Sequence, residues 1–121
     1  MGTATQHEEK ARHHLQFLGT ISDDYPDWLA TVAFYAAVEL IELLFADHDD
    51  FHSQNHEDRN RSIHQRFPRL AKPFKALYNA SLDSRYQAME HWLSAEEVRR
   101  ELVDRRLAHI KSFVESHRRT T

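Results

Sequence analysis

The chain has 121 residues, of which 40% are apolar and 29% are charged, and this balance predicts a single folded domain over residues 1–121. Two glycines and three prolines are too few for the turns of a sheet protein, and the absence of cysteine excludes disulfides and thiolate metal sites. The formal charge of −3 provides no overall attraction for nucleic acid, so any phosphate site must depend on a local basic patch.

The first half of the chain predicts two helices. Apolar residues recur at helical spacing over about residues 4–20, and Gly19 stands near the end of this stretch. Pro26 is placed to begin a second helix, which runs to about Ala46 and is apolar on most sides. Two glutamates interrupt its apolar run, so we expect a buried core helix and no membrane span. With no apolar N-terminal leader, the expected location is the cytoplasm.

A loop and a third helix follow. Residues 47–55 are polar and predict the loop, and acidic residues after His56 suit the first turn of the next helix. Pro68 is expected to end or kink that helix. A further apolar segment predicts a fourth helix, and the polar stretch at 79–86 predicts a link or short turn after it.

The last predicted helix opens with a capping box, Ser94-x-x-Glu97, and carries apolar residues at helical spacing. A basic tail at about residues 116–121 is expected to fray. Together these elements predict an all-α protein, an antiparallel bundle of four to five helices.

Histidine is frequent in this chain, which raises the question of metal binding. His52 and His56 are four residues apart and could place two imidazoles on one helix face. However, the chain has no H-E-x-x-H pattern, and no third ligand stands at helical spacing. The prediction is therefore no metal and no cofactor, with a histidine metal-binding bundle left open as one alternative.

The stretch Arg59-Asn60-Arg-Ser-Ile-His64 suggests phosphate chemistry. On a helix, five residues give about 140° of rotation and about 7.5 Å of rise, so Arg59 and His64 are neighbours that could flank one phosphate. Arginine can hold phosphate oxygens with two parallel hydrogen bonds, and histidine can exchange a proton near neutral pH. These groups suffice for RNA cleavage without metal, in which the ribose 2′-OH attacks the neighbouring phosphate.

The apolar second helix, the short loop and the R-N-x-x-x-H pattern that opens the next helix resemble the HEPN superfamily. Its members are small helical bundles of toxin–antitoxin and antiviral systems and of RNA-targeting CRISPR effectors. The resemblance covers the helix layout of about residues 5–117, and its motif covers residues 59–64. It implies a HEPN-like fold and a homodimer in which two motifs form one active site.

The resemblance also implies a function. The protein would be a metal-independent endoribonuclease that cleaves single-stranded RNA to a 2′,3′-cyclic phosphate and a 5′-OH, as a toxin or defence effector with an antitoxin or another defence protein as partner. His64 would be the acid and base, Arg59 would stabilise the charge of the phosphorane, and Asn60 would hold the motif or the phosphate by hydrogen bonds.

A second part of the resemblance is to an uncharacterised HEPN branch. In that branch a histidine stands three residues before the arginine, as His56 does here, and a Ser-x-x-x-Arg-Tyr element follows, as at residues 81–86. Whether His56 or His64 is the important histidine stays open. The residues expected to bind RNA are His56, Arg61, Arg66, Arg85 and Tyr86.

Glu42 is the remaining candidate, because a carboxylate on an apolar helix needs a partner, and an arginine or histidine of the third helix is the natural one. It would orient Arg59 or His64 in the enzyme, or it would form only a salt bridge in the core. The alternative to the ribonuclease is a non-catalytic HEPN module for dimerisation or for binding a nucleotide or protein.

Overall fold

The computed structural model describes residues 3–49 and 51–118, which form helices and loops with no strand among them. The all-α helical bundle predicted from the sequence is therefore confirmed. Five helices make up the bundle: α1 (Ala4–Leu18), α2 (Pro26–Asp49), α3 (His56–Arg66), α4 (Ala71–Tyr86) and α5, which joins the consecutive segments Ala95–Glu97, Val98–Leu107 and Ala108–Ser116. Short 3-10 turns lie at Pro68–Leu70 and Met89–His91.

Helix α2 is the centre of the bundle and packs against α1, α4 and α5. Its apolar residues point in nearly every direction, and Leu29, Ile41 and Phe45 are completely buried. By length and composition the segment Pro26–His48 could cross a membrane, but most of it is buried by the other helices. This is the arrangement expected for the core helix of a bundle.

Helix α1 begins at a capping box in which the Thr3 side chain accepts a hydrogen bond from the Gln6 amide, and the Gln6 side chain accepts one from the Thr3 amide. Its buried residues are His7, Ala11 and Leu18, which lie on one helical face. The histidine therefore lies on the same face as the apolar residues that anchor α1 to the core.

Helix α2 extends to Asp49, so the prediction that residues 47–55 form a loop was wrong for its first part. Asp47 accepts a hydrogen bond from Arg118 at 3.0 Å, and the His48 ring contacts the backbone carbonyl of His117. These polar side chains have partners at the other end of the chain, so the helix continues past its last apolar residues.

The expected polar link at 79–86 is also wrong, because α4 continues through this stretch. Ser81 is buried, and its hydroxyl donates to the Tyr78 carbonyl at 2.8 Å, so the side chain needs no partner outside the helix. The Arg85 guanidinium donates to the Ser81 carbonyl at 3.1 Å. The polar composition of this stretch reflects one solvated helix face.

Helix α5 opens at the predicted capping box of Ser94 and Glu97. Its middle segment, Val98–Leu107, has π-helical hydrogen bonding, which the apolar spacing did not predict. The buried residues Val98, Leu102 and Leu107 are four and five positions apart, and the wider π turn keeps them on the buried face. Val103 is only partly buried.

The basic tail is fixed as far as the structure describes it. Arg118 donates hydrogen bonds to Glu8 of α1 and to Asp47 of α2, and therefore joins three parts of the chain. The prediction of a frayed tail was wrong for this residue. The rest of the predicted tail, residues 119–121, lies outside the described residues.

Candidate functional site

The start of α3 is fixed by reciprocal side-chain hydrogen bonds. The Asn55 side chain accepts from the Asp58 amide at 2.8 Å, and the Asp58 carboxylate accepts from the Gln54 amide at 3.0 Å. These bonds supply partners for backbone donors that the first helical turn leaves free. They fix the first turn of α3, from which the side chain of Arg59 projects.

Arg59 forms an ion pair with Glu42 of the core helix. The Arg59 Nε donates to Glu42 Oε1 at 2.9 Å, and the second carboxylate oxygen accepts from the Ser53 amide at 3.1 Å. The side chain of Glu42 is 2% exposed and that of Arg59 is 15% exposed. Of the two partners that the sequence suggested for Glu42, Arg59 or His64, the structure shows Arg59, and the guanidinium is held through its Nε.

The Arg59–Glu42 pair lies at the wall of an open groove of about 710 Å³ between α1, α2 and the loop before α3. Three glutamates, one lysine, one arginine and three histidines contribute to its lining. The titratable groups of the groove are His7, Glu9, Lys10, His13, Glu39, Glu42, His52 and Arg59.

Two histidines lie beside Glu42 in this groove. His7 is 6% exposed, and its Nδ1 is 2.7 Å from the Oε2 of Glu39, which also pairs with Lys10 at 3.5 Å. The His52 ring stacks on the His7 ring with centroids 5.2 Å apart. One potential ligand atom from each of His7, Glu42 and His52 lies within 4.8 Å of the other two.

His56 lies on the other side of the start of α3, against aromatic residues of α2 and α4. Its ring stacks on Tyr78 with centroids 3.8 Å apart and is 6.0 Å from the ring of Phe74. Burial lowers the pKa of His56 below its ordinary value of 6.5, and the positive charges of Arg59 and Arg85 lower it further. The imidazole is therefore neutral at pH 7 and lies in the field of two arginines.

The predicted Arg85-Tyr86 pair ends α4. Arg85 binds Ser81 through its carbonyl and its hydroxyl at 3.1 and 3.2 Å, and its guanidinium carbon lies 5.5 Å from the centroid of the Tyr86 ring. Tyr86 is 74% exposed, which leaves one face of a large aromatic ring open to solvent. Arg85 is distant from His56 in sequence but close enough in space for its charge to lower the pKa of His56.

The other predicted residues of α3 are placed differently. His64 is exposed and does not line the groove. Asn60 is partly buried, and Arg61, which is exposed, pairs with Asp58 at 3.0 Å. The guanidinium of Arg66 lies over the ring of Phe51, 4.5 Å from its centroid. Within the described chain, the arginine and the histidine of the R-x4-H pattern therefore face different surroundings.

The grouping of histidines also differs from the one suggested by spacing. His52 lies beside His7, whereas His56 is stacked on Tyr78, so the two do not act as one pair. Sequence reasoning missed His7, although it occupies the face of α1 that buries Ala11 and Leu18. A histidine on a buried face is a signal that it needs a polar partner, which Glu39 provides.

No family model, curated protein or solved structure matches this chain.

Proposed function

We propose that the protein is a metal-independent endoribonuclease with a HEPN-like fold, acting on single-stranded RNA in the cytoplasm as a toxin or defence effector. The observation that carries the proposal is that Arg59 is held by the buried Glu42, three residues after a partly buried His56 whose pKa is lowered by burial and by the charges of Arg59 and Arg85. Two arginines and a neutral imidazole supply the charge stabilisation and the base for cleavage of RNA without metal, and a second imidazole is needed as the acid.

The arginines account for recognition of the phosphate. Glu42 engages only the Nε of Arg59, so the outer N–H groups of that guanidinium can donate to phosphate oxygens. Arg85 supplies a second positive charge, close enough to lower the pKa of His56. Because both arginines are held by hydrogen bonds before RNA arrives, little conformational entropy is lost when they bind. The exposed Tyr86 ring offers a surface on which an unpaired base can stack.

The proposed cleavage uses two histidines, one as the base and one as the acid. Neutral His56 takes the proton of the 2′-OH while the 2′-oxygen forms a bond to the adjacent phosphorus. Arg59 and Arg85 stabilise the additional negative charge of the phosphorane. The bond between phosphorus and the 5′-oxygen then breaks, and a protonated imidazole donates its proton to the leaving oxygen. The products are a 2′,3′-cyclic phosphate and a 5′-OH.

His64 provides that second imidazole in a homodimer. Its side chain is exposed on α3, outside the groove, where a second copy of the chain can reach it. Each active site then combines Arg59 and His56 of one copy with His64 of the other, while Asn60 binds the motif or the phosphate. This arrangement does not require Arg59 and His64 of one chain to line the same groove.

The experiment is cleavage of end-labelled single-stranded RNA in EDTA by the wild type and by Arg59→Lys, His56→Asn and His64→Asn. Arg59→Lys keeps a positive charge beside Glu42, so the variant is expected to fold. It loses the guanidinium, which can donate two parallel hydrogen bonds to a phosphate. Each variant is expected to cleave roughly 100-fold more slowly, the usual contribution of one acid–base or charge-stabilising group. Mixing Arg59→Lys with His64→Asn tests the dimer, since one of the two sites in a mixed dimer keeps both residues.

Two exposed residues of α5 give matched controls. Arg105 pairs with Glu101 at 2.9 Å, and His109 is exposed, so Arg105→Lys and His109→Asn repeat the same chemical changes away from the site. Both are expected to cleave at the wild-type rate. Equal rates for all variants would reject the proposed site. RNA binding without cleavage by the wild type would favour the non-catalytic module.

A further inference from the structure

The groove holds a second cluster, which shares only Glu42 with the proposed ribonuclease site. Its members are His7 from α1, Glu42 from α2 and His52 from the loop before α3. Their potential ligand atoms lie within 4.8 Å of one another although the residues are widely separated in sequence. Two imidazoles and a carboxylate at this separation form a common ligand set for zinc and for other divalent transition metals.

The buried imidazole of His7 is prepared for coordination. Its Nδ1 bonds with the carboxylate of Glu39 at 2.7 Å, which fixes the ring and leaves Nε2 as the second nitrogen. That Nε2 is buried and has no hydrogen-bond partner within the described part of the chain. A buried polar atom without a partner is destabilising, and a histidine oriented by a carboxylate is the usual arrangement at metal centres.

The other two ligands are held at the same place. Glu42 is fixed by Arg59 and by the Ser53 amide, and each of its oxygens keeps a further lone pair for a metal. His52 stacks on His7, so a small rotation of either ring brings the ligand atoms closer. In a tetrahedral zinc site with bonds of about 2.0–2.1 Å the ligand atoms are about 3.3 Å apart, so only a modest closing motion is needed.

The local charges also favour a cation. Glu39 and Glu42 bring two negative charges next to the cluster, and Arg59 brings one positive charge. The ammonium of Lys10 is 3.5 Å from Glu39, but its side chain is 67% exposed and can move into solvent. The groove is open, so an ion can enter from solvent and retain water at its remaining coordination positions.

We propose that His7, His52 and Glu42 bind one divalent transition-metal ion of the zinc class, with the Glu39 carboxylate holding the His7 ring through its Nδ1. The proposal does not depend on the ribonuclease, because metal binding is measured without RNA. It also explains why the chain places a histidine on the buried face of α1.

The test is calorimetric titration of the metal-free protein with zinc chloride, together with the visible spectrum of the protein loaded with cobalt(II). The wild type is expected to bind one ion per chain and to show the cobalt absorption of a low-coordinate site. His52→Ala and His7→Asn are expected to lose at least about tenfold in affinity, and Glu39→Gln about 10–100-fold. His52 is the primary position to vary, because it lies in a loop and its removal leaves the core intact.

His13→Ala is the matched control, since His13 is an exposed histidine that lines the same groove. It is expected to bind zinc as the wild type does. Zinc should also raise the melting temperature of the wild type and of His13→Ala, but not of His52→Ala. The proposal is overturned if the wild type binds no zinc, or if folded His52→Ala and His7→Asn bind it as tightly as the wild type.

Discussion

Glu42 and Arg59 show how one buried charge determines the position of a candidate catalytic group. The carboxylate is almost completely buried on α2 and has two donors, Arg59 and the Ser53 amide. Without the arginine, Glu42 would be a buried charge with only one hydrogen bond. The position of Arg59 is thus determined by the needs of the core, which makes the guanidinium both structurally important and pre-oriented.

This pairing predicts that removal of Arg59 alone destabilises the protein much more than removal of both Arg59 and Glu42. Arg59→Met is expected to lower the free energy of unfolding by about 3–5 kcal/mol, because it leaves a buried charge unpaired. The double variant Glu42→Met/Arg59→Met removes both charges and is expected to recover most of that loss. Urea denaturation measures both values. The exposed pair of Arg105 and Glu101 is the control, and Arg105→Met should change stability little. A double variant no more stable than Arg59→Met would contradict this reading.

The surroundings of His56 predict how stability depends on pH. Burial and the neighbouring arginines lower the pKa of His56 in the folded protein below 6.5, so the unfolded chain binds its proton more tightly. The stabilisation that follows is complete above about pH 6.5 and is lost as the pH falls through the folded-state pKa. His14, whose pKa burial also lowers, acts in the same direction.

The test is titration of the His56 ring protons by NMR, together with unfolding of the wild type and His56→Gln between pH 7.5 and about 5. We expect the ring to titrate below its ordinary pKa and His56→Gln to lose less stability than the wild type as the pH falls. A pKa of His56 at or above 6.5 would contradict this prediction, because it would show that the folded protein does not destabilise the protonated imidazole.

At the scale of the elements, Gly19 ends α1 without the backbone conformation that requires glycine. Its φ of −67° is right-handed, and a Cβ built there meets the Gln16 carbonyl oxygen at 3.5 Å, an ordinary contact. Gly19→Ala is therefore expected to raise the free energy of unfolding by about 0.5 kcal/mol, because it restricts the unfolded chain. The midpoint of urea denaturation measures this change, and a loss of stability would show that the residue needs another conformation.

The elements also show what could be predicted from the sequence. The number of helices, the start of α2 at Pro26 and the capping box of α5 follow from patterns within a few residues of one another. The end of α2 did not follow, because Asp47 has its partner, Arg118, near the other end of the chain. The end of α4 did not follow either, because the polar Ser81 is accommodated inside its helix by a hydrogen bond to the Tyr78 carbonyl.

Only part of the candidate site could be predicted from the sequence, because the rest depends on how distant segments pack together. The sequence narrowed the partner of Glu42 to Arg59 or His64, because a buried glutamate needs an arginine or histidine nearby, and the structure selects Arg59. The cluster of His7 with His52 could not, since it depends on how α1 docks against the loop before α3. The exposure of His64 was not predictable either, because spacing gives the angle between side chains but not which side faces the bundle.

At the scale of the whole molecule, the proposed RNA site and the proposed metal site meet at the Glu42–Arg59 pair. The Glu42 carboxylate belongs to the proposed metal cluster and also fixes the phosphate-binding Arg59. The net charge of −3 gives RNA no overall attraction, so approach depends on the exposed cations that follow Arg59. These are Arg61, Arg66, Arg69 and Lys72.

The central claim is cleavage of RNA by the protein's own side chains, and the most direct measurement is the chemistry of the product ends formed in EDTA. We expect a 2′,3′-cyclic phosphate and a 5′-OH, no cleavage at a nucleotide whose 2′-OH is replaced by hydrogen, and loss of these products in Arg59→Lys. Products with 5′-phosphate ends, cleavage that continues at the 2′-deoxy nucleotide, or activity that disappears with EDTA would contradict the account.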